Sequence, residues 1–496
     1  MITKPLKRIF AIAMTAALVL TPPTVAGDPL GPEHVLLVYN SDVADSVLIR
    51  NLYLEKYPSV LTYDIGQSGC ELTEGTITRQ QYLDCIRNPL REFINGENGG
   101  PDLSQQIVVI LTTRGVPARI NGTNEFGTQI NSTFASVDSE LTLLQQDLEA
   151  AGFAPLNQRH YGIVDNPYHT ALQPILDYSR SRIKVQRAFQ QVTESGAPAT
   201  WVASGLTPGN MYLTCRLDAA PGEHTTSVQE VERLLNRSPN LTLTPCEAQY
   251  LLDTYTAGAN MLDAGWLPPS FPLLNDYVRT NSILVQNGWS GQLDRTFEFI
   301  TGPELDDPTR PLFILSTYGE NHDVDGRGEN PPGSGTYLDT YELHPAALFL
   351  SIESFNGNSL IDGQPRGGHG QVLEVFPRGG SFTIGNVAEP FTFSVPDTEY
   401  VARAMLLSGL TFAEAAWIAR PGLSWQQTPV GDPLSRIEIL DTSSPDQNRD
   451  GRIDVEDLYT AARWNLDLTC DGTINDDDRR LVLNAVRAGE LADTLP

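Results

Sequence analysis

Oxygen-bearing side chains recur at short, regular spacing near the end of this 496-residue chain. Segment 446–457 reads DQNRDGRIDVED, with Asp or Asn at positions one, three, five, nine and twelve. Calcium binds about six to eight oxygens, and twelve-residue loops supply them from these positions, with glycine at the sixth for a sharp turn. Gly451 stands at that sixth position, and we expect Ile453 at the eighth to point inward. We therefore predict a calcium site formed by Asp446, Asn448, Asp450, the Arg452 carbonyl, Asp454 and Asp457.

A second copy of the pattern occupies segment 467–478, which reads DLTCDGTINDDD. Thr469 stands at its third position, where a neutral hydroxyl is a weaker ligand, so this site should bind calcium less tightly. The alternatives are an acidic surface turn for the first loop and a degenerate loop, kept for pairing, for the second. The predicted ligands of the second site are Asp467, Thr469, Asp471, the Thr473 carbonyl, Asn475 and Asp478.

Helical patterns follow both loops, over Val455–Asn465 and Asp476–Ala488. Neither helix can bury its apolar face alone, so we expect metal binding to drive the folding of the pair. Residues 446–490 resemble dockerin-type repeats, the paired calcium-binding loop–helix modules of exported bacterial proteins. The resemblance implies calcium as the bound ion and a cohesin-like protein as partner. Loop positions ten and eleven, which help to choose the partner in that family, are Val455-Glu456 and Asp476-Asp477 rather than small hydroxyl residues.

A histidine and a serine follow two apolar runs in the larger part of the chain. Leu312–Ser316 leads to His322, and Ala346–Ile352 leads to Ser354. Ligands bind at the carboxyl ends of strands in parallel α/β sheets, and a serine becomes nucleophilic when a base lies within hydrogen-bond reach. The candidate catalytic set is Ser354 as nucleophile and His322 as base, with Asp323 or Glu353 orienting the base. The alternative is a loop histidine bonded to nearby polar groups and a serine that caps a turn.

Several segments also resemble a family of uncharacterised exported bacterial proteins. The order of strand, histidine, strand and nucleophile is similar to the layout of caspase- and gingipain-like cysteine peptidases, in which a cysteine takes the place of Ser354. The resemblance implies either a hydrolase with a serine variant of that site or a non-catalytic relative. A polysaccharide-associated enzyme is a further alternative, suggested only because dockerins often occur on polysaccharide-degrading complexes. The segments that carry the family resemblance are His34–Tyr57, Leu111–Ile120, Ser136–Leu141, Gly385–Phe391 and Leu410–Leu434.

Continuous apolar runs alternate with helical patterns through the chain before residue 440. Such runs predict a large, mostly parallel sheet covered by helices on both faces, which is an α/β fold. A small all-α calcium-binding pair follows it. Arg182–Val192 and Glu247–Thr256 are among the predicted helices. The expected organisation is a signal peptide at 1–26, an α/β domain at 28–439 as one unit or as two lobes joined near residue 200, a linker at 440–445 and the calcium module at 446–490.

Other polar and sulfur-bearing residues allow several pairings. Asp138 and Glu140 are either a carboxylate pair or helix-start residues, and Arg114 is a candidate partner of one of them. Cys70 and Cys85 are close in sequence. Cys215 and Cys246 could form a second pair, although four cysteines allow three connectivities, and Cys470 is then left over.

The composition excludes some partners. The chain carries 61 acidic and 33 basic residues, a net charge of -28, which argues against binding to nucleic acid or to an anionic membrane surface. A basic start followed by a short apolar stretch and small residues indicates a secretory signal, with a retained membrane anchor as the alternative. We expect an exported protein with no integral membrane segment after signal cleavage.

Overall fold

The predicted signal peptide, the first half of the first predicted calcium loop and most of the second loop lie outside the part of the chain that the structure describes. The computed structural model describes residues 29–72, 75–121, 134–146, 163–182, 188–192, 198–201, 210–254, 277–296, 299–319, 337–363, 372–388, 390, 395–440, 452–464 and 475–493. Within these residues, no helix is long and apolar enough to cross a membrane.

The strands alternate with helices along the chain, as the apolar runs predict. The strands are β1 Val35–Tyr39, β2 Leu61–Asp64, β3 Thr76–Thr78, β4 Val109–Thr113, β5 Arg119–Asn121, β6 Ala135–Ser136, β7 Ile163–Asp165, β8 Ala188–Val192, β9 Pro198–Trp201, β10 Leu213–Leu217, β11 Leu241–Leu243, β12 Gln249–Asp253, β13 Gly291–Asp294, β14 Leu312–Thr317, β15 Leu343–Ser351, β16 Phe382–Asn386, β17 Gly422–Leu423, β18 Gln427–Val430 and β19 Ile437–Ile439.

The helices are mostly short, and three of them adjoin the π-helical stretches at Tyr82–Arg87 and Arg403–Leu407. Their bounds are α1 Ala44–Lys56, α2 Arg79–Gln81, α3 Asn88–Ile94, α4 Val137–Leu141, α5 Ser227–Arg237, α6 Tyr277–Gln286, α7 Ser359–Asp362, α8 Thr398–Ala402, α9 Phe412–Ile418, α10 Val455–Trp464 and α11 Asp476–Asp493.

A ten-stranded sheet forms the centre of the fold, in the order β13-β12-β14-β15-β16-β18-β10-β4-β1-β2. Strands β2, β1, β4, β10 and β18 are parallel to one another, and so are β16, β15, β14, β12 and β13. Strands β16 and β18 pair in antiparallel fashion, so the two parallel halves run in opposite directions. The prediction of a large, mostly parallel α/β sheet is confirmed.

Both faces of the sheet are covered, and β1 shows how. Side chains alternate between the two faces of a strand. Val35 and Leu37 belong to the hydrophobic cluster that includes helices α1, α5 and α9, whereas Leu36 and Val38 belong to the cluster that includes α3 and α4. All four side chains are fully buried. This two-sided burial explains why the strand sequence is continuously apolar.

Two helix predictions are wrong in the described residues. Gln249–Asp253 forms β12 rather than part of a helix, and Ala188–Val192 forms β8. Every residue of β12 is buried, and it pairs with β13 and β14 on either side. A short apolar run that is buried on both faces cannot be distinguished from a buried helix by its periodicity.

Of the two cysteine pairs that the sequence suggests, one forms a disulfide bond and the other does not. Cys70 and Cys85 form a disulfide bond, as their closeness in sequence indicates. Cys215 is a free, buried thiol on β10, and burial raises its pKa well above the ordinary value. The Cys215–Cys246 pair is therefore wrong, although Cys246 is disulfide-bonded. Cys470 lies outside the described residues.

Candidate functional site

Ser354 lies where the sequence predicts it, in a turn that follows β15. Strands β14 and β15 are parallel neighbours, so the residues that follow them leave the sheet at the same edge. The Ser354 side chain is half-buried, and its hydroxyl makes no hydrogen bond within the described residues. The predicted base His322 and its companion Asp323 lie outside the described residues, so the predicted triad stays a prediction.

The backbone next to Ser354 has an unusual conformation. Phe355 has a φ of 60°, in the left-handed region that bulky residues rarely occupy. Its N–H donates to the Ala388 carbonyl at 2.9 Å, and its own carbonyl accepts from the Asn358 N–H at 2.9 Å. Backbone strain of this kind persists only where the surroundings hold it, and it is found most often at functional sites.

Glu353 is fully buried directly before this turn. Its Oε2 accepts a hydrogen bond from the Tyr337 hydroxyl at 2.9 Å, and its backbone carbonyl accepts one from the Asn386 side-chain amide at 2.9 Å. Gly319, two residues past β14, packs so closely that a Cβ there would lie 1.9 Å from Glu353 Cγ. Glu353 is therefore a fixed carboxylate that ties the β14 and β15 ends together.

Asp138 forms an ion pair with a buried arginine. Thr112 Oγ1 donates to its Oδ1 at 2.5 Å, and Arg216 Nε and Nη2 donate to its Oδ2 at 3.1 and 2.9 Å. Arg216 is 1% exposed, and its remaining donors reach the backbone carbonyls of Thr113, Val116 and Pro117. A carboxylate held in this way is structural rather than available for acid–base chemistry.

Glu140 and Arg114 each have partners other than those predicted. Glu140 Oε2 accepts from Arg79 Nη1 at 3.1 Å, and its Oε1 accepts from the Ser424 hydroxyl. Arg114 instead contacts Asp218 Oδ1 through Nη1 at 3.1 Å and Asp45 Oδ2 through Nε at 3.3 Å. The predicted pairing of Arg114 with Asp138 or Glu140 is wrong.

Asp218 is a polar residue at a strand end that the sequence reasoning missed. It follows β10 directly and is 2% exposed. Burial raises the pKa of its carboxyl above the ordinary value, while Arg114 and Arg216 act in the opposite direction. The strand-end position that drew attention to His322 and Ser354 is the signal that could have found it.

The C-terminal helices begin in the same way. The Asp454 N–H donates to Asp457 Oδ2 at 2.8 Å, and the Asn475 N–H donates to Asp478 Oδ2 at 2.7 Å. Asp454 Oδ1 also accepts from the Glu456 N–H at 2.8 Å, and Asn475 Oδ1 accepts from the Asp477 N–H at 2.6 Å. These residues stand at positions nine and twelve of the predicted calcium loops. Side-chain oxygens that accept from the first backbone N–H groups in this way fix the start of a helix.

Most of the other predicted calcium ligands lie outside the described residues. Arg452 is described and exposed at the surface. Within the described ranges, no group of three or more His, Cys, Asp or Glu side chains is arranged to hold a metal ion. The ligands outside those ranges are Asp446, Asn448, Asp450, Asp467, Thr469, Asp471 and Thr473.

The two C-terminal helices pack through a small apolar cluster of Leu440, Val482 and Val486, with Leu458 against it. The expectation that Ile453 points inward is wrong, because its side chain is 39% exposed.

No protein-family model matches the chain. No curated protein is similar to it in sequence. The crystal structure of the Arg-specific cysteine proteinase gingipain R is similar in fold, with a TM-score of 0.37 and 10% identity over 83% of this chain and 80% of that chain. The dockerin resemblance gains no support from these comparisons and stays a prediction.

Proposed function

We propose that residues 446–490 bind calcium through two loop–helix units and that this module attaches an exported α/β protein to a protein partner. The observation that carries the proposal is the equivalence of Asp454 and Asp457 with Asn475 and Asp478. The same two hydrogen bonds, from the N–H of position nine to position twelve and from the N–H of position eleven to position nine, occur in both predicted loops. Two helix starts with one hydrogen-bond pattern support a repeated unit with one kind of ligand.

The carboxylates at position twelve support a cation in particular. Asp457 and Asp478 are 0% and 2% exposed. A buried carboxylate is costly unless hydrogen bonds or a cation compensate its charge. Position twelve is the one that closes a calcium loop by direct coordination. One oxygen of each carboxylate fixes the helix start, and the group as a whole completes the proposed site.

The surface of α10 supports a docking role. Val455 and Tyr459 are one helical turn apart, and they are 51% and 71% exposed. Large apolar side chains grouped on one face often mark a protein interface. A cohesin-like partner, which the dockerin resemblance implies, would cover them.

Removal of calcium from the full-length protein should loosen the C-terminal helices selectively. We expect hydrogen–deuterium exchange in α10 and α11 to accelerate at least tenfold in chelator relative to millimolar calcium, because the bound ion contributes to folding. Strands β1 and β4 serve as internal controls and should not change. Equal exchange in α10 and α11 under both conditions would contradict the proposal.

A change at one ligand should weaken one site. Asp457→Asn retains an oxygen that can accept from the Asp454 N–H but removes the charge that faces the ion. We expect calorimetry to show calcium binding at the first site at least about tenfold weaker. Glu456→Gln is the matched control, since Glu456 is an exposed neighbour at loop position eleven. Similar losses in both variants would rule out Asp457 as a ligand.

A second candidate function, a serine hydrolase, is favoured by the backbone at Ser354. The half-buried serine stands in a turn after a parallel strand, directly before a residue of positive φ. A nucleophile presented on a strained turn is held in a defined position. His322 remains the proposed base because the chain that leaves β14 at the same edge carries it three residues after Gly319.

An active serine in this position should react with a fluorophosphonate probe. We expect labelling of the full-length protein and its loss in Ser354→Ala and in His322→Ala, because the hydroxyl needs a base. Ser359→Ala, in the same connection, is the control and should label normally. A protein that is not labelled, or whose labelling survives Ser354→Ala, is not a hydrolase of this kind.

A further inference from the structure

A polar cavity of about 280 Å³ lies beside the ends of β4 and β10. Arg114 directly follows β4, Asp218 directly follows β10, and Ser359 begins α7 on the facing wall. Three glycines also line the cavity and leave space beside these polar groups: Gly75, Gly115 and Gly363. The carboxyl ends of parallel strands are the usual place for a ligand in an α/β sheet.

Two polar groups in the cavity have unused hydrogen-bonding capacity. Asp218 Oδ1 accepts from Arg114 Nη1 and from the Ala219 N–H at 2.8 Å, but Oδ2 accepts no hydrogen bond within the described residues. The Ser359 hydroxyl is buried, with 3% of the residue exposed, and has no partner in the part of the chain that the structure describes. Buried polar groups are normally hydrogen-bonded, so the Ser359 hydroxyl points to a ligand or to water, and Asp218 Oδ2 offers an acceptor in the same cavity.

The charges restrict what that ligand can be. Arg114 lies between Asp218 and Asp45, so its guanidinium is already engaged by two carboxylates. A second cation at Asp218 Oδ2 would be repelled by the adjacent guanidinium. An anion would meet the two carboxylates. The free oxygen accepts and the free hydroxyl both donates and accepts, which suits a neutral group with adjacent hydroxyls.

We propose that this cavity binds one ring of a neutral sugar, with adjacent ring hydroxyls bonded to Asp218 Oδ2 and Ser359 Oγ. The volume fits one ring, because clefts for larger ligands measure about 300–1,000 Å³. Ser359 lies in the same connection as Ser354, but neither Ser354 nor any residue of the calcium module lines the cavity, so the proposal does not depend on either proposed function.

Saturation-transfer NMR on the full-length protein tests the proposal with methyl glycosides of glucose, galactose and mannose. We expect at least one of them to bind, and Ser359→Ala to weaken that binding about 3- to 10-fold, the effect of one lost hydrogen bond. The variant should fold normally, because it removes a hydroxyl that has no partner in the structure. Ser435→Ala is the matched control, since the Ser435 hydroxyl is also buried without a partner and does not line the cavity.

Two charged sugars, measured in the same experiment, test whether the cavity prefers a neutral ligand. Gluconate and glucosamine carry the sugar hydroxyls with a negative and a positive charge, and both should bind more weakly than the best neutral glycoside. Absence of binding by all three glycosides would overturn the proposal. So would equal binding by Ser359→Ala, or tighter binding by either charged sugar.

Discussion

Replacing Asp138 with alanine is expected to lower the free energy of unfolding by about 3–5 kcal/mol. The change leaves the Arg216 guanidinium without its carboxylate partner. Arg216 is 1% exposed, and both its Nε and its Nη2 donate to Asp138 Oδ2. A buried charge that loses its partner has no water to replace it. Urea unfolding followed by tryptophan fluorescence provides the measurement, because Trp417 and Trp425 are fully buried.

A surface ion pair provides the control for this prediction. Asp45→Ala removes a carboxylate 3.3 Å from Arg114 Nε, but the Asp45 side chain is 44% exposed. Its loss should cost no more than about 1 kcal/mol. The double variant Asp138→Ala/Arg216→Met should lose less stability than the sum of the two single losses, because each single change strands the other partner. A loss below about 1 kcal/mol for Asp138→Ala would contradict the structural role.

Several strands of the central sheet could be predicted because their continuously apolar sequences indicate burial on both faces. A strand covered on both faces must be apolar at every position, and β1, β4 and β14 are recognisable for that reason. The same property led to the wrong prediction of a helix at β12, because a short, fully buried run contains no periodicity that distinguishes a strand from a helix. Which state it adopts depends on β13 and β14, which lie later in the chain.

The ion pairs could not be predicted because they depend on the order of strands in the sheet. Strand β4 lies between β1 and β10, so Arg114 at its end meets Asp218 after β10 and Asp45 on the helix after β1. Asp138 meets Arg216, which is 78 positions away in sequence. The proposed calcium loops are the opposite case, because all ligands of one loop lie within twelve residues. A site whose ligands are all local can be proposed from a sequence, whereas a pocket assembled from several strands cannot.

Gly319 offers the sharpest test of how the β14 and β15 ends are held together. Its φ of 90° disfavours any side chain, and a Cβ there would lie 1.9 Å from Glu353 Cγ. Gly319→Ala must therefore displace a fully buried carboxylate that the Tyr337 hydroxyl holds. We expect a loss of at least about 3 kcal/mol in urea unfolding, from strain and overpacking together.

Gly288 separates the two causes of that loss. It has a φ of 83°, and a Cβ there would meet nothing within 4 Å, so Gly288→Ala should cost only about 1 kcal/mol of backbone strain. Equal losses in the two variants would mean that Glu353 moves freely and does not fix the turn. If Glu353 fixes the turn, its displacement must also move Ser354, the next residue. Gly319→Ala should then reduce fluorophosphonate labelling of a hydrolase, whereas Gly288→Ala should not.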